Sequence, residues 1–261
     1  MTIKHVLSTG KSSASPRGLH AAFALSTCAR KHELSMASCD DEQPAWAVVG
    51  KTWHDLLAAY FTSDRSEAIH VSDEGMPRGE GIAYSMMHSF AARYKRTIFG
   101  SVIGAEIPVE GTIDTVALTG RIDLITRLSA RQRKALFAEW QIDLTEDGYY
   151  IIDHKSGSGR LSPSKYDAYR WHPQTYIYKL LYEQQFPRRK IVGRFIHYQD
   201  KTAQHRSWLI KQQDPSRKYI MALMSQIDKV RSNTGKNPME CFSGGYLCEY
   251  YAQCWARGRE K

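Results

Sequence analysis

A short apolar run from Tyr149 to Lys155 constrains the fold of this 261-residue chain more than any other stretch. It reads Tyr-Tyr-Ile-Ile-Asp-His-Lys and is followed at once by Ser-Gly-Ser-Gly. Aromatic and β-branched residues that stop at glycines predict a strand, whose side chains alternate between two faces. Asp153 and Lys155 then share one face at the end of the strand, and His154 points to the other. The alternative is a surface ion pair, which is common and weak.

Composition narrows the class of protein. Hydrophobic residues make up 42% and aromatic residues 11%, which is enough for one large domain or two small ones with a packed core. No apolar run approaches the roughly 20 residues of a membrane span, and the first residues do not resemble a signal peptide. We therefore expect a cytoplasmic protein without a membrane (in the host cytoplasm if a phage encodes it). Disulfides are then not expected among its five cysteines.

The net charge of +9 is unevenly distributed along the chain. From Lys155 onward there are 20 lysines and arginines against 8 acids, whereas the preceding part has 16 against 19. A basic C-terminal half indicates a polyanionic partner such as nucleic acid, although charge also serves solubility.

Periodicity predicts an α/β domain. We expect helices over 45–61, 82–96 and 214–231, with Asp214 as the cap of the last one. Strands are expected over 97–109, 116–125, 149–155, 190–198 and 205–210, and the segment 162–185 is expected to be helical with a break near Pro173. A short amphipathic helix is expected over 19–30. The predicted organisation is an N-terminal arm and helix (1–40), a core (41–235) and a cysteine-rich C-terminal segment (236–261).

Further polar residues are candidates to join the strand-end pair. Asp123 lies near the end of the preceding predicted strand, so pairing of the two strands would bring it to Asp153 and Lys155. Two facing carboxylates repel unless a cation lies between them, and oxygen ligands suit Mg²⁺ or Mn²⁺. A lysine beside such a site can hold or deprotonate a water for phosphodiester hydrolysis. Taken alone, Asp123 is better explained as a strand-end cap or ion pair.

Two more features are ambiguous when taken singly. His54 lies on a predicted helix and can complete a metal shell, but any single histidine is more often a core or surface residue. Gln174 and Tyr178 lie one helical turn apart and share a face, as many polar–aromatic surface pairs do. Glu106 is a further candidate acid near the site.

Four motifs in order resemble the RecB-like branch of the PD-(D/E)xK nucleases, which includes the CRISPR-associated exonucleases. They cover about residues 45–180 and read Gly50-x-x-x-His54, Gly120-x-x-Asp123, Asp153-x-Lys155 and Gln174-x-x-x-Tyr178. The resemblance implies a restriction-endonuclease-like core, in which helices flank a central mixed sheet.

The resemblance also implies roles for the matching residues. His54, Asp123 and Asp153 would bind the metal, and Lys155 would serve catalysis. His154 would offer its main-chain carbonyl to the metal. The glutamine–tyrosine motif would lie near the active site and the DNA.

The cysteines indicate a second cofactor. Several nucleases of this branch hold a [4Fe–4S] cluster with one cysteine before the core and three after it, tying the chain ends together. The matching residues here are Cys28, Cys241, Cys248 and Cys254, and Cys39 is left over. Four thiolates also suit zinc, and unligated buried thiols are a third possibility.

The combined expectation is a Mg²⁺- or Mn²⁺-dependent DNA exonuclease that acts on single-stranded DNA or DNA ends in recombination, repair or phage replication. The alternatives are a DNA-binding accessory subunit without catalysis and a structure-specific endonuclease. The sequence has no Walker-type phosphate loop, so unwinding would require a helicase or recombinase partner. Four aromatic residues are candidates to stack on bases, with core packing as the alternative for most: Tyr149, Trp171, Tyr176 and Tyr178.

Overall fold

The computed structural model describes residues 45–62, 78–93, 99–140, 142, 144–157, 159–201 and 207–232. All five cysteines and the expected helix over 19–30 lie outside these residues. The helices are α1 (Ala45–Thr62), α2 (Arg78–Arg93), α3 (Ala130–Trp140), α4 (Pro163–Trp171), α5 (Gln174–Gln185) and α6 (Arg217–Ser232). The strands are β1 (Ser101–Ile113), β2 (Val116–Leu128), β3 (Gly148–Gly157), β4 (Ile191–Asp200) and β5 (Ser207–Lys211).

The strands form one mixed sheet in the order β1-β2-β3-β4-β5. β2 pairs antiparallel with β3, β3 pairs parallel with β4, and β4 pairs antiparallel with β5. A parallel pair needs a long crossover connection, and α4 and α5 provide it. The expected strand through Tyr149 and Lys155 is therefore confirmed as the centre of a mixed sheet flanked by helices.

The main core lies between α1, α2 and the sheet. Apolar residues recur along α1 at helical spacing and meet those of α2 and of the strands. This cluster consists of Val49, Trp53, Leu57, Phe61, Ala83, Met86, Met87, Phe90, Phe99, Leu124 and Ile152. Helix α5 packs on β3 and β4 and buries Ile177, Tyr178, Leu181 and Tyr182.

Two compact units are distinguished by their internal contacts. The larger spans 42–109 and 121–215 and contains every candidate residue outside the cysteines. The described part of the smaller comprises 110–120 and 216–232. There, β1 turns into β2 at Asp114, whose φ of 55° lies in the left-handed region that aspartate tolerates. Helix α6 buries Ile220, Met224 and Ile227 along one stripe. The predicted domain boundaries stay predictions.

Two boundary predictions are corrected. β1 runs to Ile113 and not to Val109. The prediction ended the strand too early because its hairpin turn, at Asp114, lacks the glycine that marks most such turns. The cap of α6 is Ser216 and not Asp214, since the Ser216 hydroxyl accepts from the Tyr219 amide at 3.1 Å. Asp214 instead pairs with the buried guanidinium of Arg194. The break between α4 and α5 lies at Pro173, as expected.

A buried histidine pair lies behind the central strand. His154 on β3 and His197 on β4 are adjacent in the parallel register, and their Nδ1 atoms are 3.0 Å apart. The His154 ring packs against Trp53, Phe61 and Phe90. At that distance one ring donates and the other accepts, which requires a neutral acceptor. Burial lowers the pKa of His197 to about 3 and holds the pKa of His154 well below its usual value.

This pair predicts acid sensitivity. The folded-state pKa of His197 is depressed, so the unfolded chain binds more protons between pH 6.5 and about 3, and stability falls as the pH falls through that window. At pH 5 the loss is about 2 kcal/mol for this one group. We expect His197→Phe to reduce the difference in unfolding free energy between pH 7 and pH 5, measured by urea denaturation. If the unfolding free energies of the two proteins fall by the same amount between pH 7 and pH 5, His197 is not held neutral.

Candidate functional site

Four elements of the larger unit bring the candidate site together. His54 comes from α1, Glu106 from β1 and Asp123 from β2, and β3 contributes Asp153 and Lys155. Leu124 is paired with Ile152 in the antiparallel register of β2 and β3. Asp123 and Asp153 are therefore neighbours across the two strands. Antiparallel pairing thus brings together residues that are 30 positions apart in the sequence.

A potential metal triad consists of His54, Glu106 and Asp123. One ligand atom from each lies within 4.8 Å of the others, and all three residues are half-buried. His54 Nδ1 is 3.5 Å from Asp123 Oδ2 and 3.9 Å from Glu106 Oε1. One imidazole nitrogen with two carboxylates is a donor set that suits a divalent transition ion such as Mn²⁺.

Asp153 lies beside this triad but is engaged differently. Its carboxylate is 1% exposed, and Lys155 Nζ contacts its Oδ2 at 2.7 Å. Oδ1 is buried and has no hydrogen-bond partner among the described residues. A buried carboxylate oxygen without a partner is rare and costly, and a cation shared with Asp123 would satisfy it. The residues present therefore fit a divalent metal.

His154 links the two strands through its main chain. Its backbone N–H donates to Asp123 Oδ2 at 2.7 Å, while its side chain lies in the core with His197. The amide orients the Asp123 carboxylate, and this contact does not depend on the identity of the side chain. The expected role of the His154 carbonyl as a ligand stays a prediction.

Electrostatics in the site are dominated by burial and by the crowding of carboxylates. Burial is the main cause that raises the pKa of Asp123 to about 6, and the Asp153 carboxylate adds to the rise while His54 opposes it. For Lys155, burial alone would lower the pKa, but Asp153 and Asp123 outweigh it and raise the pKa above its usual value. His54 behaves likewise, since Asp123 and Glu106 overcome burial and raise its pKa. This charge distribution favours cations.

Glu106 has a conformation that the sequence did not reveal. It lies within β1 but has a φ of 51°, which costs a glutamate about 1–3 kcal/mol. One of its carboxylate oxygens lies 3.9 Å from His54 Nδ1, and the other lies 3.5 Å from Arg121 Nη1. The left-handed backbone takes Glu106 out of the regular alternation of the strand, and its carboxylate lies beside His54. Because position 106 is a glutamate and not a glycine, no signal in the sequence indicated a positive φ there.

The glutamine–tyrosine pair lies against the same site. Gln174 Nε2 donates to the Tyr178 hydroxyl at 3.0 Å, and both residues are buried. Burial raises the pKa of Tyr178, and the Asp153 and Asp123 carboxylates raise it further. The hydroxyl therefore stays protonated and is positioned by Gln174 close to the carboxylates.

Comparisons with known proteins identify a solved structure of similar fold but no related family. No family model matches the chain, and no curated protein is significantly similar to it. Among solved structures, a candidate exonuclease from Eubacterium rectale is 10% identical with a TM-score of 0.55, over 92% of this chain and 91% of its own. The chain therefore shares its α/β fold. The structure of SSO0001 is 13% identical with a TM-score of 0.37, over 93% of this chain and 98% of its own.

No helix in the described ranges has both the length and the apolar composition needed to cross a bilayer. The four cysteines expected to hold a cluster lie outside those ranges, and the cluster stays a prediction.

Two substitutions of Glu106 by a neutral amide side chain separate its backbone strain from its role as a metal ligand. Glu106→Gln and Glu106→Asn both remove the carboxylate, and we expect each to weaken Mn²⁺ binding about 10-fold or more by calorimetry. Asparagine adopts the left-handed region more readily. The Asn variant should therefore be more stable than the Gln variant by about 1 kcal/mol in urea unfolding. Equal stability would contradict the strain, and unchanged Mn²⁺ affinity would contradict the ligand role.

Proposed function

We propose that this chain is a divalent-metal-dependent DNA nuclease, acting as an exonuclease on single-stranded DNA or DNA ends. The observation that carries the proposal is the Asp153–Lys155 pair beside the triad of His54, Glu106 and Asp123 on adjacent strands. The shared fold with the candidate exonuclease from Eubacterium rectale supports it, as do the four motifs in RecB-like order.

The chain's own residues would divide the work of phosphodiester hydrolysis. His54, Asp123, Asp153 and Glu106 would hold a divalent cation, which would supply Lewis-acid chemistry at the phosphate. Lys155 has a raised pKa, so it is an ammonium that donates hydrogen bonds to a water or to a phosphate oxygen. In this arrangement it would position the water. Tyr178 remains a protonated donor beside the same carboxylates.

The basic second half of the chain supports DNA as the substrate. Contacts from lysine and arginine to phosphates are independent of sequence, as degradation from an end requires. Recombination, repair and phage replication are pathways in which such an enzyme acts, with a helicase or recombinase as the partner that unwinds duplex DNA.

The chain offers a matched control for testing Lys155. Lys179 forms an ion pair with Glu183 at 2.6 Å and its side chain is 24% exposed, against 2.7 Å and 23% for Lys155. We expect Lys155→Met to reduce the cleavage of end-labelled single-stranded DNA in Mn²⁺ by about 10²- to 10³-fold, and Lys179→Met to leave it within about twofold.

The outcomes separate the alternatives. No cleavage by the wild type would contradict the nuclease and favour a DNA-binding accessory subunit. Cleavage by the Lys155→Met variant at the wild-type rate would show that Lys155 is not catalytic. Cleavage of circular single-stranded DNA would show an endonuclease. An exonuclease requires an end and leaves the circle intact.

A [4Fe–4S] cluster held by Cys28, Cys241, Cys248 and Cys254 is part of the proposal. We expect protein purified without oxygen to be brown, with broad visible absorbance that is lost in Cys248→Ser. A colourless protein with four-thiolate zinc would contradict the iron assignment, because Zn²⁺ is d¹⁰ and does not absorb visible light. Unchanged colour in the variant would show that Cys248 is not a ligand.

A further inference from the structure

Helix α4 is held in place without burying any side chain. An isolated nine-residue helix is marginal in water, and apolar packing is what usually stabilises one. In α4, hydrogen bonds at the two ends of the helix stabilise it instead. Ser162 Oγ accepts from the Lys165 amide at 3.2 Å, and Pro163 occupies the first turn. At the other end, the Gln213 amide donates to the Arg170 carbonyl at 2.8 Å, and the Gln212 side chain donates to the His172 carbonyl.

The inner side of α4 lies against the strand next to the catalytic lysine. Lys165 Nζ is 5.0 Å from the ring centroid of Tyr198, and the rings of Tyr169 and Tyr198 are 5.9 Å apart. Tyr198 is the partner of Lys155 in the β3–β4 register. The pKa of Tyr169 is raised by burial and is also shifted by Lys155 and Asp153. Helix α4 therefore lies next to the candidate site.

A glycine permits this close approach. A Cβ on Gly157 would lie 1.9 Å from the Tyr198 hydroxyl, so no other residue fits there without displacing the ring. That hydroxyl donates to the Gly159 carbonyl at 2.7 Å and ties the segment after β3 to β4. Gly157, which ends the central strand, thus lets the chain pass close to Tyr198 before it enters α4.

The outer side of α4 exposes aromatic and basic side chains together. Trp171 is 56% exposed and Tyr166 is 37% exposed. The Arg170 guanidinium is 5.9 Å from the ring centroid of Trp171. Gln213 holds that guanidinium, since its side-chain oxygen, in the orientation that satisfies both groups, accepts from Arg170 Nη2 at 2.8 Å. Arg160 is exposed in the segment before the helix.

The other aromatic candidates for base stacking are less available. Tyr178 is 3% exposed, and Tyr149 and Tyr176 are half-buried. The Arg194 guanidinium lies 5.0 Å from the ring centroid of Tyr176. Phe137 on α3 is also exposed, but α3 contributes none of the residues of the candidate site. Trp171 therefore combines exposure, a neighbouring cation and a place beside the site.

We propose that helix α4 is a platform for single-stranded DNA. On it, Trp171 stacks against a base, Arg170 contacts a phosphate next to that base, and Arg160, at the other end of the helix, contacts the backbone farther along the strand. The inference rests on the proposed function and specifies how that site receives its substrate. A strand held there would be delivered toward Lys155 without selection of sequence, because every base presents a π-face. A duplex, whose bases are already stacked on each other, offers Trp171 no such face.

The test measures binding of a labelled single-stranded oligonucleotide to the full-length chain by fluorescence anisotropy, in EDTA so that no cleavage occurs. We expect Trp171→Ala to weaken binding about 10- to 100-fold and Trp171→Phe to restore most of the loss. Phe137→Ala is the matched control, an exposed aromatic removed from another helix, and should bind as the wild type does. Equal loss in Phe137→Ala and Trp171→Ala, or no loss in either, would overturn the proposal.

An abasic oligonucleotide distinguishes stacking from charge. It keeps the phosphates and lacks the bases, so wild type and Trp171→Ala should bind it equally, whereas Arg170→Met should weaken binding to both strands. If Trp171→Ala weakens binding to the abasic strand as much as to the normal strand, the tryptophan does not stack and the proposal is wrong.

A small phosphodiester without bases separates this inference from the proposed function. Cleavage of bis(p-nitrophenyl) phosphate in Mn²⁺ tests the nuclease itself, whereas for DNA the KM should be raised in Trp171→Ala with kcat little changed. If neither protein cleaves any substrate but the binding difference persists, the nuclease is wrong and the platform stands. If both cleave DNA with equal KM, the nuclease stands and the platform is wrong.

Discussion

The buried Asp153–Lys155 pair is the interaction on which the site depends. A carboxylate that is 1% exposed is stable as an anion only with a cation at contact distance, and Lys155 provides one at 2.7 Å. Strand alternation then forces the intervening His154 into the opposite layer, where it meets His197 among aromatic rings. One strand thus carries a charged face toward the site and a neutral, packed face toward the core.

The second constraint is the accumulation of negative charge around that pair. Burial brings the pKa of Asp123 to about 6, and Glu106 adds a further carboxylate from a strained backbone position. Both features raise the free energy of the folded site, and a divalent cation would offset that cost.

Local pattern predicted much of the fold. The central strand, the break at Pro173 and the helix from Ala45 were all visible, because they depend on alternation, on a missing amide and on helical spacing. The predicted cap of the last helix was wrong because Asp214 and Ser216 are both good capping residues. Arg194, which is distant in sequence, forms an ion pair with Asp214, and Ser216 caps the helix instead. The end of β1 was missed because its turn uses Asp114 without a glycine.

The sequence by itself determined which residue types lie on each face of the central strand and in which order the four motifs occur, since both follow from spacing along one chain. Only the tertiary structure decided that Glu106 joins His54 and Asp123, that His154 pairs with His197, and that α4 exposes Trp171 beside the site. These depend on strand register, on a positive φ and on which surfaces are left uncovered. Such properties arise from contacts between residues far apart in the chain, which no local pattern encodes.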